Sequence, residues 1–283
     1  MLVTSKELLL DAQKNGYAVG AFNTNNLEIT QAIIRAAEAK RAPVLVQISA
    51  GALKYAGAEF LPMIVAKAAQ LASVPVAIHL DHGPSFESVL QCLRVGFTSI
   101  MRDASKLPYE QNVAEVRKVV EVCHALGIPV EAEIGKIGGA EEHVVVSDRE
   151  ATMSDPDECA RFVEDAGFDF LAVAIGNAHG FYKGEPQLDF ARLEKIRSKV
   201  SVPLVLHGAS GIPDAQITMA VERGICKINI DTEIRNAFIR TIQKLVAENP
   251  DQIDPRKIFG PGIEAMQAIV EQKIEIFKSA GRA

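Results

Sequence analysis

The sequence predicts an α/β chain closed as a (β/α)8, or TIM, barrel with extra terminal helices. Three observations predict it. Short apolar runs alternate with helical patterns eight times along the chain. A polar or ionisable residue stands at the end of every run. The 283 residues, 48% of them hydrophobic, are enough for one large core, so a single domain over 1–283 is expected.

Taken in order, Thr4-Ser5-Lys6-Glu7 reads as a capping box opening a helix that Gly16 ends. Residues 17–22 are strand one, and a helix over 27–40 follows the polar Asn23-Thr24-Asn25-Asn26. Residues 43–49 are strand two, and a helix around 61–71 leads to strand three. That strand begins at Val74 and gives way near Asp81-His82 to a loop broken by Gly83-Pro84. A helix over 86–95 comes next, then strand four (98–103), a helix over 109–125 and strand five (128–134). The glycine-rich stretch 135–143 reads as a flexible loop. Asp155-Pro156-Asp157-Glu158 starts a helix, with a cap residue, a first-turn proline and acids behind it. Strand six (169–175), a helix over 190–199, strand seven (202–207) and a helix ending near Gly224 follow. Strand eight (225–230) leads into a long helix, 233–247, and one more, 263–277. The extra terminal helices are surplus to the barrel and are expected to cover its bottom or pack a subunit interface. An open doubly wound sheet fits less well, because no GxGxxG follows strand one.

Composition excludes several classes. The net charge is −6 and there is no tryptophan, nor any basic stripe with interleaved aromatics, so nucleic acid is not expected as a partner. Apolar runs are too short and too often charged to cross a membrane. Met1–Lys6 carries no signal-peptide pattern, and the four cysteines are scattered without a CxxC. A cytoplasmic protein with reduced thiols is expected.

In such barrels chemistry gathers where the strands end. Those ends carry Asn23, Ser49, Asp81-His82, Asp103, Glu133, Asn177–Gly180, His207-Gly208 and Asn229–Thr232. Three of the six histidines, His82, His179 and His207, follow strands three, six and seven. Three imidazoles converging on one mouth, with a fourth position open, is the layout of catalytic zinc. Each alone would be an ordinary polar residue at a strand end. His79 reads as core or as a partner of a metal ligand, His124 as an ordinary polar residue late in a helix, and His143, in the glycine-rich stretch, is left unassigned.

Gly208-Ala209-Ser210-Gly211 after strand seven, and Asp231-Thr232 after strand eight, could cradle a phosphate. Glycine lets backbone N–H groups approach an anion closely, and barrels commonly hold phosphate here. Plain turn chemistry accounts for the glycines equally well. Thr232 could also cap the following helix, and Gly180 and Lys183 could serve the same anion. Asp81 beside a metal ligand suits proton transfer, or else it orients a histidine. Among Glu131, Glu133 and Asp103, one could bind a second cation. Glu141 and Glu142 follow the Gly138-Gly139 hinge, either as a loop that closes over substrate or as a solvated tip.

These residues resemble a known family, the class II, zinc-dependent ketose-bisphosphate aldolases. The markers are Gly20-Ala21-Phe22-Asn23, Ile78-His79-Leu80-Asp81-His82-Gly83, Asp103-Ala104-Ser105, Val130–Gly135 with Gly138-Gly139-Ala140-Glu141, Ile175–Gly180, Leu206–Gly211 and Lys227–Thr232. The resemblance implies that His82, His179 and His207 hold a catalytic Zn2+. Asp81 would shuttle the proton of the C4 hydroxyl as the C3–C4 bond breaks or forms. Glu141 would move the proton at the dihydroxyacetone phosphate carbon. Asn229, helped by Asn23, would hold substrate near the metal, and Ser49 belongs with the substrate-binding residues. Gly180, Lys183, Gly208, Ser210, Asp231 and Thr232 would frame a phosphate and a monovalent cation. Asp103 and Glu133 match a position for a second divalent cation. The lysines expected near the mouth, Lys136, Lys183 and Lys227, lie outside strand six, so no Schiff-base lysine is implied.

The expected reaction is reversible cleavage of fructose 1,6-bisphosphate to dihydroxyacetone phosphate and glyceraldehyde 3-phosphate. Asp231 and Gly184-Glu185-Pro186 look fructose-type, whereas the His207–Gly211, Gly224–Lys227 and Asn236–Phe238 segments look tagatose-type, which makes tagatose 1,6-bisphosphate the alternative substrate. A non-catalytic phosphosugar-binding barrel is the plainer alternative. Apolar positions to spare on the C-terminal helix point to a homodimer or homotetramer.

Overall fold

A computed structural model describes residues 1–141, 144–146, 152–180, 182 and 184–283, with backbone alone at 140, 141 and 144–146. In chain order the elements are α1 (Ser5–Asn15), β1 (Val19–Asn23), α2 (Leu27–Lys40), β2 (Val44–Ser49), α3 (Ala50–Ala56), α4 (Phe60–Leu71), β3 (Val76–Gly83), α5 (Phe86–Arg94), β4 (Ser99–Arg102), α6 (Tyr109–Ala125) and β5 (Val130–Ile134). Then come β6 (Gly138–Glu141), β7 (Val144–Val146), α7 (Pro156–Ala166), β8 (Phe170–Val173), β9 (Ala178–His179), α8 (Phe190–Lys199), β10 (Leu204–Leu206), α9 (Asp214–Glu222), β11 (Ile225–Ile230), α10 (Thr232–Glu248) and α11 (Pro255–Ile276).

Eight parallel strands close into the expected barrel in the order β1-β11-β10-β8-β5-β4-β3-β2. Alternation along each strand sets what faces where. On β2, Val44, Val46 and Ile48 pack toward the helices, which leaves Leu45, Gln47 and Ser49 facing inward. On β5, Val130, Ala132 and Ile134 go outward, which turns Glu131 and Glu133 into the barrel. The lower interior is apolar: Val19, Ala21, Leu45, Ala77, Ala172 and Val205 meet Leu9 and Ala12 of α1, which closes that end. Above this layer the inward positions turn polar, a division that burial alone would disfavour and that a site at the strand ends requires.

Local chemistry explains the helix starts. Asn26 caps α2 by accepting the Ile29 N–H, and Ser85 and Ser88 form a reciprocal box at α5. Asp155 accepts from Asp157 and Glu158, with Pro156 at the first helical position. Thr4 precedes α1 as expected, but its side chain makes no capping hydrogen bond. The α3 helix, absent from the sequence reading, starts directly at the end of β2, where the Ser49 hydroxyl accepts the Ala52 N–H at 3.1 Å.

Of the extra terminal helices, α1 covers the bottom of the barrel as expected. Of α10's seventeen residues only Ile234 and Phe238 are buried, whereas α11 buries Ile263, Met266, Val270 and Ile274 and packs on α2, α10 and α9. The last helix therefore completes the outer ring rather than covering the bottom, which α1 covers. Strand six begins later than expected: Asp169 stays outside β8, and its carboxylate takes Lys6, His124 and the Val130 N–H, each at 2.8 Å. His124 thus ties α6 to the foot of β8.

Candidate active site

The site is built from the tops of β1, β3, β4, β5, β9, β10 and β11. Strand β3 does more than expected: it continues through Asp81 and His82 to Gly83. Alternation would put residues 81 and 82 on opposite faces. Between Leu80 and Gly83 the pairing with β4 shifts by one residue, and His82 takes a left-handed φ of 45°. This bulge brings a carboxylate and an adjacent imidazole to one side. A non-glycine residue held there costs about 1–3 kcal/mol, a strain characteristic of functional sites.

His82, His179 and His207 converge as expected, each offering a ring nitrogen within 4.8 Å of the others, and all three are buried. The outer nitrogen of His82, Nδ1, lies 2.8 Å from Asp103 Oδ2, and that of His207, Nε2, lies 2.7 Å from Glu131 Oε1. Ionised carboxylates only accept, so both outer nitrogens carry protons. The inner nitrogens, His82 Nε2 and His207 Nδ1, then face one another at 2.9 Å. Two lone pairs at that distance need a cation or a shared proton between them. Nitrogen ligands on a tetrahedral Zn2+ stand about 3.3 Å apart, given Zn–N bonds of ~2.0–2.1 Å, so the arrangement fits zinc with small ring movements.

Electrostatics agree. Burial opposes a charge on His82, but Asp81, Asp103 and Glu133 outweigh it and raise its pKa to about 10. His207, buried beside His82 and Lys227, is pushed well below the imidazole range. A protonated His82 would donate to a neutral His207 across this contact. The same acidic surroundings favour a divalent cation in the proton's place. His82, Asp103 and Glu133 form a second group with ligand atoms within 4.8 Å of one another. Burial and the nearby Asp103 push Glu133 up to about 8.

Asp81 is clamped. Asn23 Nδ2 donates to one oxygen at 2.8 Å, Asn229 Nδ2 to the other at 3.3 Å, and Gln47 Nε2 holds the Asn23 amide oxygen at 2.8 Å. Burial would raise its pKa, but His82, His207, Lys227 and the Asn23 hydrogen bond together lower it, which keeps the carboxylate ionised. Asp81 Oδ1 lies 4.0 Å from His82 Nε2.

The stretch after β5 is not a plain loop. Strand β6 pairs with β7 antiparallel and with β9, which carries His179, in parallel. Gly139, at φ 96°, approaches so closely that a Cβ would lie 2.2 Å from the His179 carbonyl oxygen. Backbone contact thus places the Glu141 segment beside a triad histidine. The side chain of Glu141, and Lys183 and His143 altogether, lie outside the described residues. Gly180 follows β9 with φ 79°.

The anion loops are ordered by Tyr182, which the sequence does not single out, and by the strand-end residue Asn177. The Tyr182 hydroxyl donates to the Gly208 carbonyl and accepts the Ala178 N–H, both at 2.8 Å, and Asn177 Nδ2 donates to the His207 carbonyl at 3.0 Å. Gly208, at φ 59°, leaves a Cβ only 2.3 Å from the Ala178 carbonyl oxygen, so no larger residue fits. Ser210 is buried nearby. Thr232 is the first residue of α10, not its cap; Asp231 occupies the cap position but pairs with Arg235 instead of capping.

One expectation is corrected. Lys227 is not at the mouth: it is fully buried in the barrel interior, with Nζ 2.9 Å and 3.2 Å from the Glu131 oxygens and 3.5 Å from His79 Nε2. It fixes the carboxylate that fixes His207. His79, read as core or as a partner of a ligand, anchors to the Ser99 hydroxyl at 2.7 Å. Period-two spacing from Glu133 and Asn229 was the available signal for Glu131 and Lys227.

Comparison with known proteins agrees with this geometry. The family described as fructose-bisphosphate aldolase class-II matches residues 3–282. A fructose-bisphosphate aldolase of Geobacillus stearothermophilus is 48% identical over 285 residues, covering all of this chain and 99% of the relative. That of Thermus caldophilus is 47% identical over 306 residues, with both chains fully covered. The crystal structure of the YdjI aldolase from Escherichia coli K12 superposes with a TM-score of 0.90 at 40% identity, again covering both chains completely. Barrel, mouth and relatives together define an aldolase, a lyase of carbon–carbon bonds. The chain belongs to the class II fructose-bisphosphate aldolase family.

Proposed function

We propose that the protein catalyses zinc-dependent, reversible aldol cleavage of fructose 1,6-bisphosphate to dihydroxyacetone phosphate and glyceraldehyde 3-phosphate. The observation that carries this is the pair of facing nitrogens, His82 Nε2 and His207 Nδ1, with Asp81 beside them. Zn2+ on His82, His179 and His207 would supply Lewis-acid stabilisation of the enediolate charge that cleavage creates. Asp81, ionised and clamped by Asn23 and Asn229, accepts the C4 hydroxyl proton in the cleavage direction and returns it in condensation. The buried Asn229 Oδ1 has no hydrogen bond among the described residues and suits a substrate hydroxyl. Glu141 is proposed to move the proton at the dihydroxyacetone phosphate carbon, and its segment's pairing beside His179 supports that role.

Gly180, Gly208, Ser210, Asp231 and Thr232, with Lys183, are proposed to frame a substrate phosphate and a monovalent cation, and Ser49 to contact substrate at the mouth. The His82, Asp103 and Glu133 group is proposed as a second position for a divalent cation. No helix among the described residues is long and apolar enough to cross a membrane, and a cytoplasmic location is part of the proposal. A homodimer or homotetramer is supported by a groove of about 580 Å³ lined by Tyr55, Phe238, Ile239, Ile242 and Phe259; light scattering at monomer mass would contradict it.

The test is parallel cleavage of fructose and tagatose 1,6-bisphosphates, with EDTA and with zinc restored. Faster fructose cleavage that EDTA abolishes and zinc restores is expected. Preference for tagatose would move the assignment to that sugar. Activity surviving chelation in metal-free protein would refute the zinc mechanism, and no cleavage of either sugar would favour a binding barrel.

A further inference from the structure

We propose that Lys273, in the last helix, is a positioning residue for the phosphate site, a reading that rests on the phosphate role of the loop Gly208–Gly211. Lys273 is buried in α11, far along the chain from every residue assigned above. Its Nζ lies 2.9 Å from Glu233 Oε2 and 3.6 Å from Asp214 Oδ1. Asp214 is the first residue of α9, which follows β10; Glu233 is the second residue of α10, which follows β11. One ammonium therefore joins the first turns of the two helices that succeed the phosphate loops.

The link reaches the loop itself. The other Glu233 oxygen, Oε1, accepts the Gly211 N–H at 2.7 Å. Gly211 is held at φ 87°, a conformation that L side chains rarely adopt. A carboxylate gripping this loop fixes its shape but brings negative charge toward a site that must admit a dianion. Lys273 neutralises that charge and ties the carboxylate to the scaffold. Gln272 Nε2 adds a hydrogen bond to Asp214 Oδ2 at 3.3 Å, so the same helical turn holds α9 twice. The C-terminal helix thereby sets the geometry in which phosphate is received, without touching it.

The test uses the full-length, zinc-loaded protein with Lys273→Met, Lys273→Arg and the double variant Glu233→Gln/Lys273→Met. Calorimetry gives the Kd of inorganic phosphate, and steady-state assays give KM and kcat for the bisphosphate. In Lys273→Met, phosphate Kd and substrate KM are expected to rise about tenfold, with kcat within about twofold and zinc content unchanged. Lys273→Arg is expected to restore most of the affinity. Removing one partner of a buried pair can unfold a protein, whereas the double variant leaves only the half-exposed Asp214 without its ammonium, still bonded to Gln272, and should stay folded with phosphate binding still weak. Wild-type phosphate affinity in either folded methionine variant would overturn the proposal. A wild-type protein that binds zinc but no phosphate would overturn the phosphate reading and this proposal with it.

Discussion

Replacement of His207 by alanine is expected to release zinc and lower bisphosphate cleavage by about a thousandfold, because Lewis-acid stabilisation supplies several kcal/mol and each ~1.4 kcal/mol is a factor of ten. His207 is where the polar interior of the barrel meets the mouth. Its outer nitrogen is held by Glu131, and Glu131 by Lys227, so the inner nitrogen is aimed before any ligand arrives. Alanine leaves His82 and His179 as a two-imidazole site and strands the Glu131–Lys227 pair under an empty space. Metal analysis of the purified variant alongside its cleavage rate checks this. Stoichiometric zinc at wild-type affinity would show that the third imidazole is dispensable.

Asp81→Asn is expected to act differently. The substitution keeps size and leaves the three imidazoles in place, so zinc should remain bound. Cleavage should fall by about 10²–10⁴, the usual contribution of a positioned general base. The carboxylate now accepts from two amides, Asn23 and Asn229. An asparagine must turn its own NH2 toward one of them, which removes a hydrogen bond as well as the base. Proton exchange at the dihydroxyacetone phosphate carbon should survive, because that proton is assigned to Glu141. Measuring kcat and exchange on the same preparation separates the two roles; loss of both together would mean that Asp81 serves binding rather than proton transfer.

The barrel was legible because each strand is a short apolar run whose outward residues must meet helices, as Val44, Val46 and Ile48 do. The histidine triad was legible because three imidazoles ended three such runs. What escaped depends on register rather than pattern. The bulge that turns His82 beside Asp81 is an extra residue in β3 relative to β4, and pairing between distant segments cannot be read from either alone. The β6–β7 hairpin is glycine-rich because it approaches β9 closely, which along the chain looks like flexibility. Lys227 lies inside the barrel rather than at the mouth because Glu131 across the interior makes that position tenable. Arg102, a charged residue in a strand end, is similarly accounted for by Glu115 at 3.1 Å and the Gly83 carbonyl at 3.2 Å, which brace the end of the bulge.

The most direct test of the central claim is a crystal structure of the zinc-loaded protein with anomalous data at the zinc edge. The account predicts one strong peak about 2.0–2.1 Å from a ring nitrogen of His179, from His82 Nε2 and from His207 Nδ1. Absence of metal there, or a peak held by Asp103 and Glu133 without His179 and His207, would contradict it.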